Sequence, residues 1–142
     1  MASVLVLGVF DILTAGHFDM LGRASRFGQV TIGLTGDELA EATKRRPLFS
    51  FDERRQRLEL LGFAVIERAT ADARPTFEAV RPRYYVCGND HLGGSHVEAS
   101  SLTREFLDAL DITVVYAPRV HDISTTQVLE RIRDHIDRGG DQ

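Results

Sequence analysis

Residues 3–17 read Ser-Val-Leu-Val-Leu-Gly-Val-Phe-Asp-Ile-Leu-Thr-Ala-Gly-His, and the chemistry along them decides the fold. Ser3–Val9 is a short, apolar run without polar alternation, as expected of a strand buried on both faces. A loop, Phe10–His17, follows with one Asp and a glycine. Phe18, Leu21, Ala24 and Phe27 then recur every three residues with Met20 alongside, marking one face of a helix that Gly28 stops. Strand, loop and helix in that order form the first part of a β-α-β unit.

The rest of the chain repeats the pattern. Val30–Leu34 predicts a second strand and Asp37–Lys44 a short helix. Ser50-Phe51-Asp52-Glu53 is a capping box that opens a helix running to Gly62. Ala64–Glu67 predicts a third strand. Pro75 suits the first turn of a helix that ends before Pro82. Tyr84–Cys87 predicts a fourth strand, followed by the Gly-rich segment Gly88–His96. Leu102, Phe106 and Leu110 share a helical face, and Ile112–Tyr116 predicts a fifth strand. Ser124-Thr125-Thr126-Gln127 is a second capping box, opening a helix with Val128, Ile132 and Ile136 on one side. Five strands alternating with helices imply an α/β fold: a Rossmann-like, doubly wound, five-stranded parallel sheet with helices on both faces.

Composition sets the outer limits. The 142 residues suggest one domain, taken as 1–137 with a frayed tail over 138–142. A content of 43% hydrophobic and 27% charged residues excludes a disordered or fibrous chain. Cys87 is the single cysteine, which excludes an intramolecular disulfide framework and a multi-cysteine zinc site. Seventeen Lys and Arg against 21 Asp and Glu give a net charge of −4, which argues against a nucleic-acid partner. The longest uncharged start, Met1–Phe10, is far short of the roughly 18 residues a membrane span needs. No basic start precedes it, as a secretory peptide would have, so the chain is read as cytoplasmic with no membrane partner.

In parallel sheets of this kind, ligands sit beyond the carboxyl ends of the strands. The loops after strands one, four and five therefore come first. In the first, Gly16 allows a ligand close to the backbone, the free N–H groups at the helix start favour an anion, and His17 can donate to phosphate oxygens. The plainer reading makes His17 a helix cap and leaves Asp11 solvated. After strand five, Arg119 and the hydroxyls of Ser124, Thr125 and Thr126 crowd a helix start, a phosphate nest if Ser124 alone caps the helix. Lys44, Arg45, Arg46, Arg54, Arg55 and Arg57 place six of the 17 basic residues within 14 positions. Such a run is either a solvated helix face or a basic loop that closes over a polyphosphate. Lys44 and Arg46 lie in the loop and Arg54 one turn into the helix, so all three are candidates for phosphate. The Gly88–His96 loop has poor spacing for a metal pair at His91 and His96. Cys87, in an apolar strand, reads as core.

Gly8-Val9-Phe10-Asp11 with Thr14-Ala15-Gly16-His17, taken with Arg119 and Ile123-Ser124-Thr125-Thr126, resembles the cytidylyltransferase-like nucleotidyltransferase superfamily. Residues 46–55, 84–91 and 114–126 look most like glycerol-3-phosphate cytidylyltransferases. The resemblance implies that a phosphorylated alcohol attacks the α-phosphorus of CTP and that pyrophosphate leaves. It implies catalytic roles for His17, Thr14, Lys44 and Arg119. It implies nucleotide contacts at Gly8, Val9, Phe10, Asp11, Gly16, Gly88, Asp90, Ile123, Ser124, Thr125 and Thr126. It places Arg46 and Arg54 at the substrate, Mg²⁺ on the phosphates with Asp11 a metal partner, and the chain in a homodimer. Thr14 replaces the first His of the H-x-G-H pair, Asn89 the first Asp of a G-D-D segment, and Asp122 the Gly before Ile-Ser-Thr-Thr. Two alternatives follow: an adenylyltransferase that uses ATP and a sugar phosphate or other phosphate acceptor, and a nucleotide-binding module with little turnover.

Overall fold

The computed structural model describes residues 2–88, 102–117 and 125–139. Five strands, β1 (Ser3–Gly8), β2 (Gln29–Thr35), β3 (Ala64–Arg68), β4 (Tyr84–Gly88) and β5 (Thr113–Ala117), form one sheet in the order β3-β2-β1-β4-β5. Every neighbouring pair is parallel. The helices are α1 (Ala15–Ser25), α2 (Asp37–Thr43), α3 (Phe51–Leu60), α4 (Arg74–Val80), α5 (Arg104–Ala109) and α6 (Thr125–Asp137). The α/β doubly wound fold is the one the alternation of elements predicts, with strand limits within about two residues.

The alternation of side chains along β1 builds two cores. Val4 and Val6 face a cluster with Leu21 and Ala24 of α1, Leu58 of α3, and Val30, Ile32 and Leu34 of β2. Leu5 faces the opposite side, with Phe77 of α4, Leu107 of α5, and Tyr85 and Cys87 of β4. Burial on both faces explains why β1 carries no polar alternation. Phe77 meets Tyr85 edge-on at 5.0 Å between ring centroids, a favoured aromatic geometry. Burial pushes the Tyr85 phenol well above its ordinary pKa.

Local signals account for the helix starts. Ser50 Oγ accepts from the Glu53 N–H at 3.2 Å, and Glu53 Oε1 accepts from the Ser50 N–H at 3.0 Å, so the first capping box is formed. Pro75 sits in the first turn of α4, and Arg81 ends that helix in the left-handed region. Ser124, the expected cap of α6, lies outside the described residues. No residue of α6 is buried, and Ile132 and Ile136 of its apolar stripe stay exposed. Among the described residues no helix is long and apolar enough to cross a membrane.

Strand order reverses between β1 and β4. The connections from β1 run outward to β2 and β3, and the chain then returns to lay β4 on the other side of β1. At such a reversal the flanking loops diverge and leave a crevice at the carboxyl edge of the sheet.

Candidate active site

The loop leaving β1 turns sharply. Phe10 takes φ 49°, in the left-handed region, which costs a residue with a Cβ about 1–3 kcal/mol and persists only where the surroundings impose it. Gly8 makes the turn possible, since a Cβ there would lie 2.7 Å from the Phe10 ring. Two arginines of α3 hold the turn from below. Arg54 Nη1 donates to the Val9 carbonyl at 3.0 Å and to Thr35 at 2.7 Å. Arg57 Nη2 donates to the Asp11 carbonyl at 2.6 Å. The Asp11 carboxylate accepts from the N–H groups of Leu48 and Phe49, at 2.8 and 2.9 Å. It thereby pins the end of the basic loop to the end of β1.

The turn delivers His17 to the first turn of α1. Its Nδ1 accepts from the Thr14 N–H at 3.0 Å, with the Thr14 hydroxyl 3.2 Å away. This is a capping box in which histidine takes the place of the usual Glu or Gln. Of the two sequence readings of His17, the structure shows the cap, with His17 as the partner of Thr14. An Nδ1 that accepts puts the proton of the neutral ring on Nε2, making that nitrogen the donor. The Phe10 ring lies 5.3 Å from the imidazole, tilted by 48°.

Two long-range hydrogen bonds close the crevice. Thr125 Oγ1 at the start of α6 donates to the Ile12 carbonyl at 3.1 Å. Arg45 Nη1 donates to Thr126 Oγ1 at 3.1 Å. The loop after β1, the basic loop and the α6 start therefore meet, although they are separated by up to 113 residues. Gly8 and Gly88 end β1 and β4 on either side of the strand-order reversal, and Gly16 lies in the first turn of α1. Lys44 and Arg46 are exposed, and Arg46 pairs with Glu41 at 3.6 Å. Asp90, Arg119, Ile123 and Ser124 lie outside the described residues.

Two expectations need correction. Arg54 does not face a substrate: its side chain is fully enclosed. Besides Val9 and Thr35 it donates to the Phe49 carbonyl at 3.1 Å and to the Asp37 carboxylate at 2.6 Å. Its charge is spent on joining β1, β2, α2 and the basic loop. Nor does Asp11 fit a Mg²⁺ ligand. It is 3% exposed, both its oxygens are engaged by backbone N–H groups, and among the described residues no cluster of three or more acidic, His or Cys side chains could hold a metal. The residue that sequence reasoning passed over is Arg45. Its neighbours in the Lys-Arg-Arg triplet look identical in sequence, and nothing local says which one turns toward α6.

The model of the family described as cytidylyltransferase-like matches residues 5–131. The chain belongs to this family of nucleotidyltransferases. Among curated family relatives, the bifunctional protein HldE of Alcanivorax borkumensis is 31% identical over 136 residues, which span 92% of this chain and 28% of that protein. The glycerol-3-phosphate cytidylyltransferase of Staphylococcus aureus is 24% identical over 93% of this chain and 96% of its own. The chain thus spans under a third of HldE but nearly the whole of the smaller relative. A solved structure, the lipopolysaccharide core biosynthesis protein from Thermoplasma volcanium GSS1, superposes with a TM-score of 0.69 at 23% identity, covering 87% of this chain and 99% of that one. That likeness speaks to the family fold alone.

Proposed function

We propose that this protein transfers the nucleoside monophosphate of CTP to a small phosphorylated alcohol such as glycerol 3-phosphate. A phosphate oxygen of the acceptor attacks the α-phosphorus of CTP, the bond from that phosphorus to the β-bridging oxygen breaks, and pyrophosphate leaves. The observation that carries this reading is the meeting of three segments: His17 on the β1 loop, Arg45 on the basic loop, and Thr125 and Thr126 at the start of α6. One triphosphate contacting all three finds a neutral donor, a cation and the positive end of a helix dipole.

No side-chain nucleophile is needed, because the acceptor supplies it. Rate comes from positioning and from charge stabilisation at the five-coordinate phosphorus. His17 Nε2–H donates to an α-phosphate oxygen, a bond that strengthens as charge builds there. Arg45, in reach of Thr126, neutralises the departing pyrophosphate, with Lys44 and Arg46 adding positive charge at the rim. The near-complete overlap with a stand-alone cytidylyltransferase supports CTP. Asn89 and Asp122, which depart from the cytidylyltransferase pattern, favour the second reading, with ATP as the donor and a sugar phosphate as the acceptor. A homodimer belongs to the same proposal, checked by gel filtration at two concentrations.

Pyrophosphate release with CTP or ATP, across a panel of phosphorylated acceptors, tests the reading. We expect CTP-dependent release. ATP-dependent release establishes the second reading, and nucleotide binding without release leaves only a binding module. In the active pair, His17→Ala lowers kcat at least about 10²-fold, the cost of losing a preorganised transition-state donor. An unchanged rate removes His17 from the mechanism.

A further inference from the structure

Arg68 has an environment that stability alone does not explain. It is half-buried at the end of β3, and its Nε–H is buried without an acceptor. Among the described residues its one hydrogen bond runs from Nη2 to the Ala71 carbonyl at 2.8 Å, and no carboxylate pairs with it. Asp72 lies within range of its charge, but Arg74 grips that carboxylate from Nε at 3.0 Å and from Nη2 at 2.8 Å. Burial accordingly pulls the Arg68 guanidinium below its ordinary pKa. A buried donor left unpaired and a half-desolvated charge without a counter-ion both cost stability. What the position lacks is an anion.

Placement decides which anion. Register sets Gly8 of β1, Leu34 of β2 and Glu67 of β3 side by side, so Arg68 lies one residue beyond the end of β1 at the carboxyl edge. β3 is two strands, about 10 Å, from β1. Val65 packs with the first core, so Arg68, three residues on, takes the opposite face, that of Phe77 and Tyr85. From there its charge acts on the Tyr85 phenol of β4, across β2 and β1. The guanidinium therefore reaches inward toward the crevice rather than outward from the edge strand. His17 meets the same edge from the other side, on α1, whose Leu21 and Ala24 pack in the first core. The triphosphate is proposed to lie between His17, Arg45 and the start of α6, which leaves Arg68 to the remote end of the acceptor. We infer that Arg68 selects the acceptor by holding a second anionic group, a carboxylate or a phosphate, at the end away from the attacking phosphate. The planar fork of a guanidinium suits either group.

This inference rests on the proposed transfer and deepens it by naming the acceptor class. The probes are glycerol 3-phosphate and 3-phosphoglycerate, which differ only in a terminal hydroxymethyl against a carboxylate. The parent is expected to favour 3-phosphoglycerate in kcat/KM by at least about tenfold, the worth of one hydrogen-bonded charge. Arg68→Gln should bring the two acceptors within about twofold of each other, chiefly by raising KM for 3-phosphoglycerate. A direct readout needs no turnover: the Arg68 Nε–H resonance of ¹⁵N-labelled protein, assigned by its absence in Arg68→Lys, is titrated without nucleotide. 3-Phosphoglycerate should move it, and glycerol 3-phosphate and inorganic phosphate should move it less than half as far. A parent that treats the two acceptors alike overturns the inference, and so does a preference that survives Arg68→Gln. A resonance that 3-phosphoglycerate leaves in place, or that glycerol 3-phosphate moves as far, overturns it too. If neither CTP nor ATP supports transfer, the proposed function fails while the titration still decides this inference. Should Arg68→Gln not fold, the acceptor preference and the titration of the parent decide.

Discussion

The basic run between Lys44 and Arg57 divides into two regions of opposite character. In the loop, Arg46 has 80% of its side chain exposed and pairs with Glu41 at 3.6 Å. On α3, Arg54 is fully enclosed and donates to three carbonyls and a carboxylate. Sequence draws no line between them, since both are cations in a charge-rich stretch. The line is drawn by what lies beneath. The carboxyl ends of β1 and β2 present the carbonyls of Val9 and Thr35 to α3, and a buried carbonyl needs a donor. The loop's backbone is tied down at Leu48 and Phe49 by Asp11, while the Arg45 and Arg46 side chains reach outward to Thr126 and Glu41. One half of the run therefore holds the strand ends, and the other half stays at the surface or, at Arg45, meets the start of α6.

The largest expected effect breaks the buried half. Arg54→Ala strands the carbonyls of Val9, Thr35 and Phe49 and leaves Asp37 without its partner. Loss of one member of a buried charged network costs about 3–5 kcal/mol, a large part of the roughly 5–15 kcal/mol available to a domain. Urea unfolding should show a correspondingly lower midpoint with an unchanged slope. Were the midpoint to stay and only substrate affinity to fall, Arg54 would belong with the loop after all. Next in size is Arg45→Ala. Its hydrogen bond to Thr126 is part-buried, so stability changes by about 1 kcal/mol or less, while the nucleotide KM should rise about tenfold through loss of a charge-assisted contact. Arg46→Ala, run beside it, should leave both within about twofold. Equal effects from the two would erase the distinction within the triplet.

How much of this was legible in the sequence follows from how local each signal is. The strands and helices were legible because burial of β1 on both faces and the Ser50–Glu53 box are written into neighbouring residues. That His17 would join the helix cap was half legible: Thr14-x-x-His17 has capping-box spacing, but with a histidine in the box. The roles of Arg45, Arg54 and Arg57 were not legible, because each is settled by partners 19 to 81 residues away. Asp11 failed as a metal ligand for the same reason. A carboxylate after a strand looks alike in sequence whether it meets a cation or two backbone N–H groups.

The smallest effect sharpens the comparison from the acidic side. Burial works against the Asp37 carboxylate, but hydrogen bonds from Arg54 and the Phe51 N–H, with the Arg54 charge, outweigh it and hold the group below its ordinary 3.8. A carboxyl whose pKa is lower folded than unfolded stabilises the fold above the unfolded value, and that contribution is lost as pH falls through the folded one. Stability should therefore decline below about pH 4, and Asp37→Asn should flatten part of that acid limb. At pH 7 the same substitution should cost roughly 1 kcal/mol or less, because the Asp37 side chain is 46% exposed and water screens the pair. The asymmetry carries the point. Arg54 is fully enclosed while its partner sits half in water, so the carbonyls rather than the ion pair should do most of the holding. An acid limb in Asp37→Asn identical to the parent's would leave the carbonyls as the whole of Arg54's seat, whereas a loss at pH 7 as large as that of Arg54→Ala would return the weight to the charge.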